Sequence, residues 1–181
     1  WEDSTTTRVV AASTSEAQKM LQSMDFYTYL QSAELEQRVM GHKLLLVKME
    51  KEPEAVVPIA NELVAMVTKM MTVAFRRESE EFEFFFRNCK YPSNTLTELL
   101  NKQTIALALQ MPTVINLIEA LLSVLSGKKP RVMESDANGC RWLNNAAMGL
   151  LLRCLDKTDP TIAFNAVIGI TKRGRNPVEP A

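Results

Sequence analysis

Between Tyr91 and Gly174 the chain alternates strongly apolar runs with short clusters of helix-ending residues. The clusters are Tyr91-Pro92-Ser93-Asn94-Thr95-Leu96, Asn101-Lys102-Gln103-Thr104, Lys129-Pro130-Arg131-Val132-Met133-Glu134, Leu143-Asn144-Asn145 and Leu155-Asp156-Lys157-Thr158-Asp159-Pro160-Thr161. Between them, apolar residues recur at three- and four-residue steps, the period of a helix with one buried face. No nucleophile, base and orienting group come together anywhere in this stretch. The pattern specifies stacked helices that offer a surface to partners, and it argues against an active site.

The rest of the composition narrows the class. Only six glycines occur in 181 residues, and the eight prolines mostly sit where helices would begin or end. A sheet protein of this length needs more turn glycine, so the chain reads as all-helical. Hydrophobic residues make up 46% and charged residues 23%, enough apolar material for a core in one domain. Lys+Arg and Asp+Glu both number 21. With no net charge, nothing global drives the chain towards nucleic acid or an anionic membrane. The most apolar window, Val56 to Phe75, is interrupted by Pro58, Asn61, Glu62 and Lys69, which argues against a membrane span. Cys89, Cys140 and Cys154 are widely separated, and His42 is the only histidine, so neither a zinc site nor a disulfide framework is expected. Three unclustered thiols suit a reducing, cytoplasmic setting. No signal-peptide pattern opens the chain, and its start at Trp1 suggests a piece of something longer.

Caps and prolines give a layout of about seven helices. A polar lead-in, residues 1–14, precedes a first helix from Ser15 to Leu30. A second follows Ser32, whose hydroxyl can take an orphan amide, and stops near Lys51. The third runs from Pro53 to about Arg77, with Pro58 in its first turns. Phe82, Phe84, Phe85 and Phe86 form a short helix or turn that plugs a core gap. Ser93 or Asn94 caps a fourth helix reaching Gln110, with Leu96, Leu99, Leu100, Ile105, Leu107 and Ala108 inward. Pro112 separates it from a fifth, Thr113 to Leu125, ended by Gly127. The sixth spans Ala137 to Leu155. The seventh starts at the Asp159 cap with Pro160 in its first turn, ends at Gly174, and leaves a tail, residues 175–181. Helical hairpins of roughly forty residues have the scale of HEAT repeats. The expected fold is therefore a short HEAT-repeat-like stack of about seven antiparallel helices, residues 15–174.

Several residues carry both a sharp and an ordinary reading. His42 lies between Gly41 and Lys43 with no partner at a defined spacing, so it reads as a surface or half-buried structural histidine rather than a catalytic one. The three cysteines read as small buried hydrophobes, and the ten methionines as core fillers. The phenylalanine run is core, with an exposed docking patch beside Glu78 to Glu83 as the alternative. Lys128, Lys129 and Arg131 form one basic cluster, and Lys172, Arg173 and Arg175 a second. Cations at helix C-termini are ordinary. The sharper reading has both clusters facing an acidic partner, either tubulin or an acidic coiled coil.

The order of these motifs resembles the C-terminal region of the TOG-family microtubule polymerases, the ch-TOG, mini spindles and plant MOR proteins. Lys90 to Leu96, Asn101 to Thr104, Arg131 to Glu134, Leu143 to Asn145 and Leu151 to Asp159 carry the likeness, about half the chain. Residues 32–75 match in helix layout alone. The resemblance implies the smaller, cryptic TOG-like domain of a large cytoskeletal protein. It implies a non-enzymatic, TOG-like interaction domain, monomeric in isolation, needing no cofactor. It further implies a cytoplasmic, cytoskeletal place at spindles, centrosomes or microtubule ends. The partner it implies is a TACC-type coiled-coil adaptor, with tubulin or microtubules second. Full TOG domains place an aromatic residue in their first tubulin-contacting loop. Here the first tight turn, Leu30-Gln31-Ser32, has no tryptophan, which shifts the expectation towards adaptor binding. The alternative is a helical adaptor or scaffold domain unrelated to microtubules.

Overall fold

A computed structural model of the chain describes residues 14–76, 82–127 and 137–175. Among them all regular structure is helical. The elements are α1 (Thr14–Gln22), α2 (Asp25–Leu30), α3 (Leu35–Lys51), α4 (Pro53–Val56), a 3-10 turn (Val57–Ile59), α5 (Ala60–Arg76), α6 (Phe82–Asn101), α7 (Gln103–Leu107), α8 (Met111–Ser126), α9 (Ala137–Lys157) and α10 (Pro160–Arg175).

Several boundaries follow the caps read from the sequence. Ser32 Oγ accepts the Glu34 amide at 3.1 Å, but α3 opens after Glu34 with no side-chain cap, so the serine braces the turn ahead of the helix rather than capping it. Asp159 Oδ1 accepts the amides of Thr161 and Ile162 at 2.8 and 3.1 Å, with Pro160 opening α10. Gly127 directly follows α8, and its amide closes back on Ser123 O.

Other boundaries differ, each for a local reason. The first expected helix is split at Ser23 and Met24. Ser23 Oγ bonds the Met20 carbonyl, and Met24 takes an extended conformation before Asp25 restarts the helix. The third is split at the 3-10 turn, where Pro58 supplies no amide. The largest correction is α6. It begins at Phe82 and runs through Pro92, so neither Ser93 nor Asn94 caps a helix. Ser93 Oγ donates instead to Cys89 O at 2.7 Å, four residues back, adding a donor beside the rung that Pro92 cannot supply. Cys89, Pro92, Ser93 and Leu96 are all buried, and their packing carries the helix past the proline. The fourth expected helix then breaks at Lys102, after which Ile105, Ala106 and Leu109 turn into the core while Leu107 stays exposed. Gly174 lies within α10 rather than ending it.

The packing closes on itself. α5 contacts α6 and α8, and α9 contacts the same two, so the four form a ring of neighbours. α3 leans on α6 and carries α2; α10 lies against α8 and α9; α1 packs on α5 and the 3-10 turn. The buried apolar side chains make one connected core, from Phe26 and Leu30 through Leu63, Leu99 and Leu121 to Cys154 and Ala166. The methionines divide, and the core-filler expectation fails for part of them. Met49 and Met71 are core, whereas Met20, Met40, Met111 and Met148 are exposed, because a helix with one neighbouring layer buries one face only. The stretch Pro53–Arg76 is long and apolar enough to cross a bilayer. Here Leu63, Val64, Val67 and Met71 from it are core residues.

Two positions report on packing quality. A Cβ at Gly41 would stand 2.7 Å from the Leu30 backbone nitrogen and 3.0 Å from Tyr29 C, so α3 crosses the end of α2 at a distance that only glycine permits. Thr68 is buried on α5 and its hydroxyl has no hydrogen-bond partner.

Gly41→Ala gains helix propensity of about 1 kcal/mol, but the overlap is with backbone that cannot rotate away. A net loss of about 2 kcal/mol is expected from urea denaturation. Thr68→Val keeps the shape and removes the unsatisfied hydroxyl, so the same measurement is expected to show unchanged stability or a gain of about 1 kcal/mol.

Candidate functional site

Where α2 turns into α3, the chain meets α5 and the first half of α6, and the three leave a half-open cleft of about 410 Å³ between them. Apolar-lined clefts of ~300–1,000 Å³ are the usual size of binding sites. The position follows from the fold. α2 is drawn close to α3 at Gly41, while α3 and α5 both pack on α6.

Apolar side chains and cations share one lining. Leu35 and Val39 come from α3, Met66, Met70 and Val73 from α5, and Phe84 from α6. Arg38, Lys69 and Arg87 also line it, with Gln31, Ser32, His42, Asn88 and Tyr91 as uncharged polar members, and the lining contains no carboxylate among the described residues. Arg38 is held in place: Nη1 donates to the Ser32 and Ala33 carbonyls at 2.9 and 2.6 Å, and Nη2 to Asn88 Oδ1 at 2.8 Å. It thereby ties the α2–α3 turn to α6. Arg87 makes a two-pronged contact with Glu36, at 2.6 and 3.0 Å. These hydrogen bonds hold the Glu36 carboxyl below its ordinary value. Lys69 is exposed and pairs with no carboxylate among the described residues.

His42 sits in the cleft wall, 1% exposed. Its Nδ1 lies 2.8 Å from Thr95 Oγ1, and its ring stacks on Tyr91 at 6.4 Å between centroids. Burial, reinforced by the nearby charge of Arg38, pushes its pKa down to about 4. The imidazole is therefore neutral at pH 7, and its hydrogen bond ties α3 to α6. The hydrogen bond and the stacking are packing contacts, and the ring is fully buried where the sequence suggested a surface or half-buried position. Cys89 and Cys154 are buried, and burial pushes both thiols up to about 12, far from the thiolate that nucleophilic chemistry requires. Cys140 is half-buried. No group of three metal-ligating side chains occurs among the described residues.

The basic residues singled out in the sequence fare differently. Lys128, Lys129 and Arg131 lie outside the described residues, as does Glu78 to Glu81. Lys172 and Arg173 are exposed on the last turns of α10, and Arg175 ends that helix. Arg173 spans to Glu119 on α8 at 3.0 Å, so one charge of the cluster is partly spoken for inside the fold. The phenylalanine run divides. Phe85 is core; Phe86 packs on Trp142 of α9 at 4.8 Å and under Lys90; Phe82 stacks on Phe86 at 5.6 Å; and half-buried Phe84 faces the cleft.

The cleft residues Arg38, Lys69 and Arg87 were not legible as a site. They sit on three helices and share no motif. On α5, Met66 and Met70 are half-buried at the edge of the core face formed by Leu63, Val64, Val67 and Met71, and Val73 is exposed beside them. Comparison with protein-family models, with curated proteins and with solved structures found no match.

The histidine gives a measurable signature. Its folded-state pKa lies below the unfolded value, so the unfolded chain takes up a proton first as pH falls. The stabilisation is complete above about pH 6.5 and is lost towards pH 4. Between pH 7 and 5, above most carboxylate titration, unfolding free energy is expected to fall by about 2 kcal/mol. Because His42 is the sole histidine, His42→Gln should flatten that interval in urea titrations at each pH.

Proposed function

We propose that this chain is a non-enzymatic protein-interaction domain of a microtubule-associated protein, acting as the C-terminal TOG-like domain acts in the microtubule polymerases it resembles. In that role it recruits or positions the larger protein at spindles, centrosomes or microtubule ends by binding an adaptor. The observation that carries the reading is the cleft at the α2–α3 turn, where apolar side chains and the cations Arg38, Lys69 and Arg87 share one lining. Support for a short HEAT-like stack comes from neighbouring pairs such as α5 with α6 and α9 with α10, which pack side by side as helical hairpins do. The sequence motifs from Lys90 to Asp159 support the family reading. The absence of a tryptophan at Leu30-Gln31-Ser32 favours a TACC-type coiled coil over tubulin as partner.

Pull-down of the purified chain with a TACC-type coiled coil and, separately, with soluble tubulin tests this. The coiled coil is expected to bind and tubulin to bind more weakly or not at all. Simultaneous charge reversal of Lys128, Lys129 and Arg131, or of Lys172, Arg173 and Arg175, is expected to weaken capture in proportion to each cluster's share of the contact. Binding to neither partner would leave a helical adaptor domain unrelated to microtubules.

A further inference from the structure

The geometry points to the cleft between the α2–α3 turn, α5 and α6 as a docking site for a single acidic amphipathic helix. This inference deepens the proposed adaptor-binding role and rests on it. Three observations carry it. The first is the shape of the α5 wall. Met66, Lys69, Met70 and Val73 fall at i, i+3, i+4 and i+7, the spacing of a ridge that meets another helix. Val73 is 46% exposed although its helix has a complete core face elsewhere. Three of these positions are apolar, with Met66 and Met70 half-buried at the core edge and Lys69 charged between them, a ridge that can meet the apolar anchors of a docked helix beside an acidic group. Two methionines in the wall suit an adaptable apolar contact.

The second observation is charge. Arg38, Lys69 and Arg87 line the cleft, and no carboxylate does among the described residues. Glu36 engages Arg87 from outside the lining. A neutral or basic helix laid over Lys69 would desolvate it without compensation, whereas glutamate or aspartate beside the helix's apolar stripe would meet it. The third is rigidity. Arg38 is fixed by three hydrogen bonds and His42 by one, so the wall opposite α5 is organised before anything binds. A phosphate backbone would answer the cations and leave the apolar stripe uncovered, which favours a peptide over a nucleic acid.

The test uses the whole chain and fluorescein-labelled peptides of about eighteen residues, long enough for five helical turns. One carries leucine at helical spacing flanked by glutamate. The second replaces glutamate with glutamine, the third replaces it with lysine, and the fourth scrambles the acidic peptide to abolish its apolar face. Fluorescence anisotropy is expected to rank the acidic amphipathic peptide first, about tenfold or more tighter than the glutamine version. Raising salt should weaken the difference. Lys69→Glu and Val73→Glu alter exposed side chains, and circular dichroism checks that both variants remain folded. Each is expected to weaken the acidic peptide by about tenfold, and Lys172→Glu is expected to leave it unchanged. Arg38 is left intact because it holds the α2–α3 turn. Equal binding of the scrambled peptide, displacement by poly(A) RNA at matching charge, indifference to both α5 variants, or no binding at peptide concentrations up to about 1 mM would each overturn the inference. The two readings fail separately. A TACC-type coiled coil that binds Lys69→Glu and Val73→Glu as well as it binds the unaltered chain places adaptor binding elsewhere and removes this site. Acidic peptide bound in the cleft, with no coiled coil captured, keeps the site and removes the adaptor assignment.

Discussion

The close crossing of α3 over the end of α2 is the constraint on which the candidate site depends. Gly41 lets the two backbones approach, and the approach sets where Arg38, one turn earlier, can reach. From there its guanidinium gathers the carbonyls of Ser32 and Ala33 and crosses to Asn88 on α6. His42, the next residue after the glycine and one turn beyond Arg38 on the same face, meets Thr95 on the same partner helix. One turn of α3 therefore registers the α2–α3 junction against α6 by sterics on one side and polar contacts on the other. Without the small residue, α3 would stand off, and neither the arginine nor the imidazole would reach its partner.

The ring of α5, α6, α8 and α9 explains why the cleft opens where it does. Each ring helix gives its strongest apolar face to the common core. α3 covers part of α6 from outside but does not extend over the outer face of α5. Met66 and Met70 are half-buried at the edge of the core there, and Val73 is left exposed beside them in the cleft lining. A concave apolar strip between helices is a normal result of packing cylinders with an uneven number of neighbours. What distinguishes this one is the set of cations along it.

Helix existence and most helix starts were legible in the sequence, because caps act over three residues and leave local marks. Asp159 and Gly127 hold the places their chemistry suggested, whereas Ser32 braces the turn ahead of α3 without capping it. Continuity across Pro92 was not legible. A proline followed by Ser-Asn reads locally as a stop and a new cap, and what overrides it is the burial of Cys89, Pro92, Ser93 and Leu96 by helices distant in sequence. The all-helical class was equally plain, whereas the count of about seven fell short, since breaks at Ser23, Pro58 and Lys102 cost only a turn each. The isolation of His42 suggested a surface or half-buried position, and its full burial follows only from the packing of Tyr91 and Thr95 of α6 against α3. The cleft could not, because Arg38, Lys69 and Arg87 converge only once three helices are packed, and no local pattern encodes that convergence.

Pro92 has a mechanical meaning that follows from where it falls. On its N-terminal side α6 carries Phe84, Arg87, Asn88 and Tyr91, all in the wall of the cleft; on its C-terminal side it carries Thr95, Leu96, Leu99 and Leu100, all within the core. The proline removes one rung of the backbone ladder between these halves. The burial of Pro92 and the Ser93–Cys89 hydrogen bond splint that missing rung, so one unbroken helix carries both the cleft wall and the core face, and whatever binds at one end meets the same rod that packs the other.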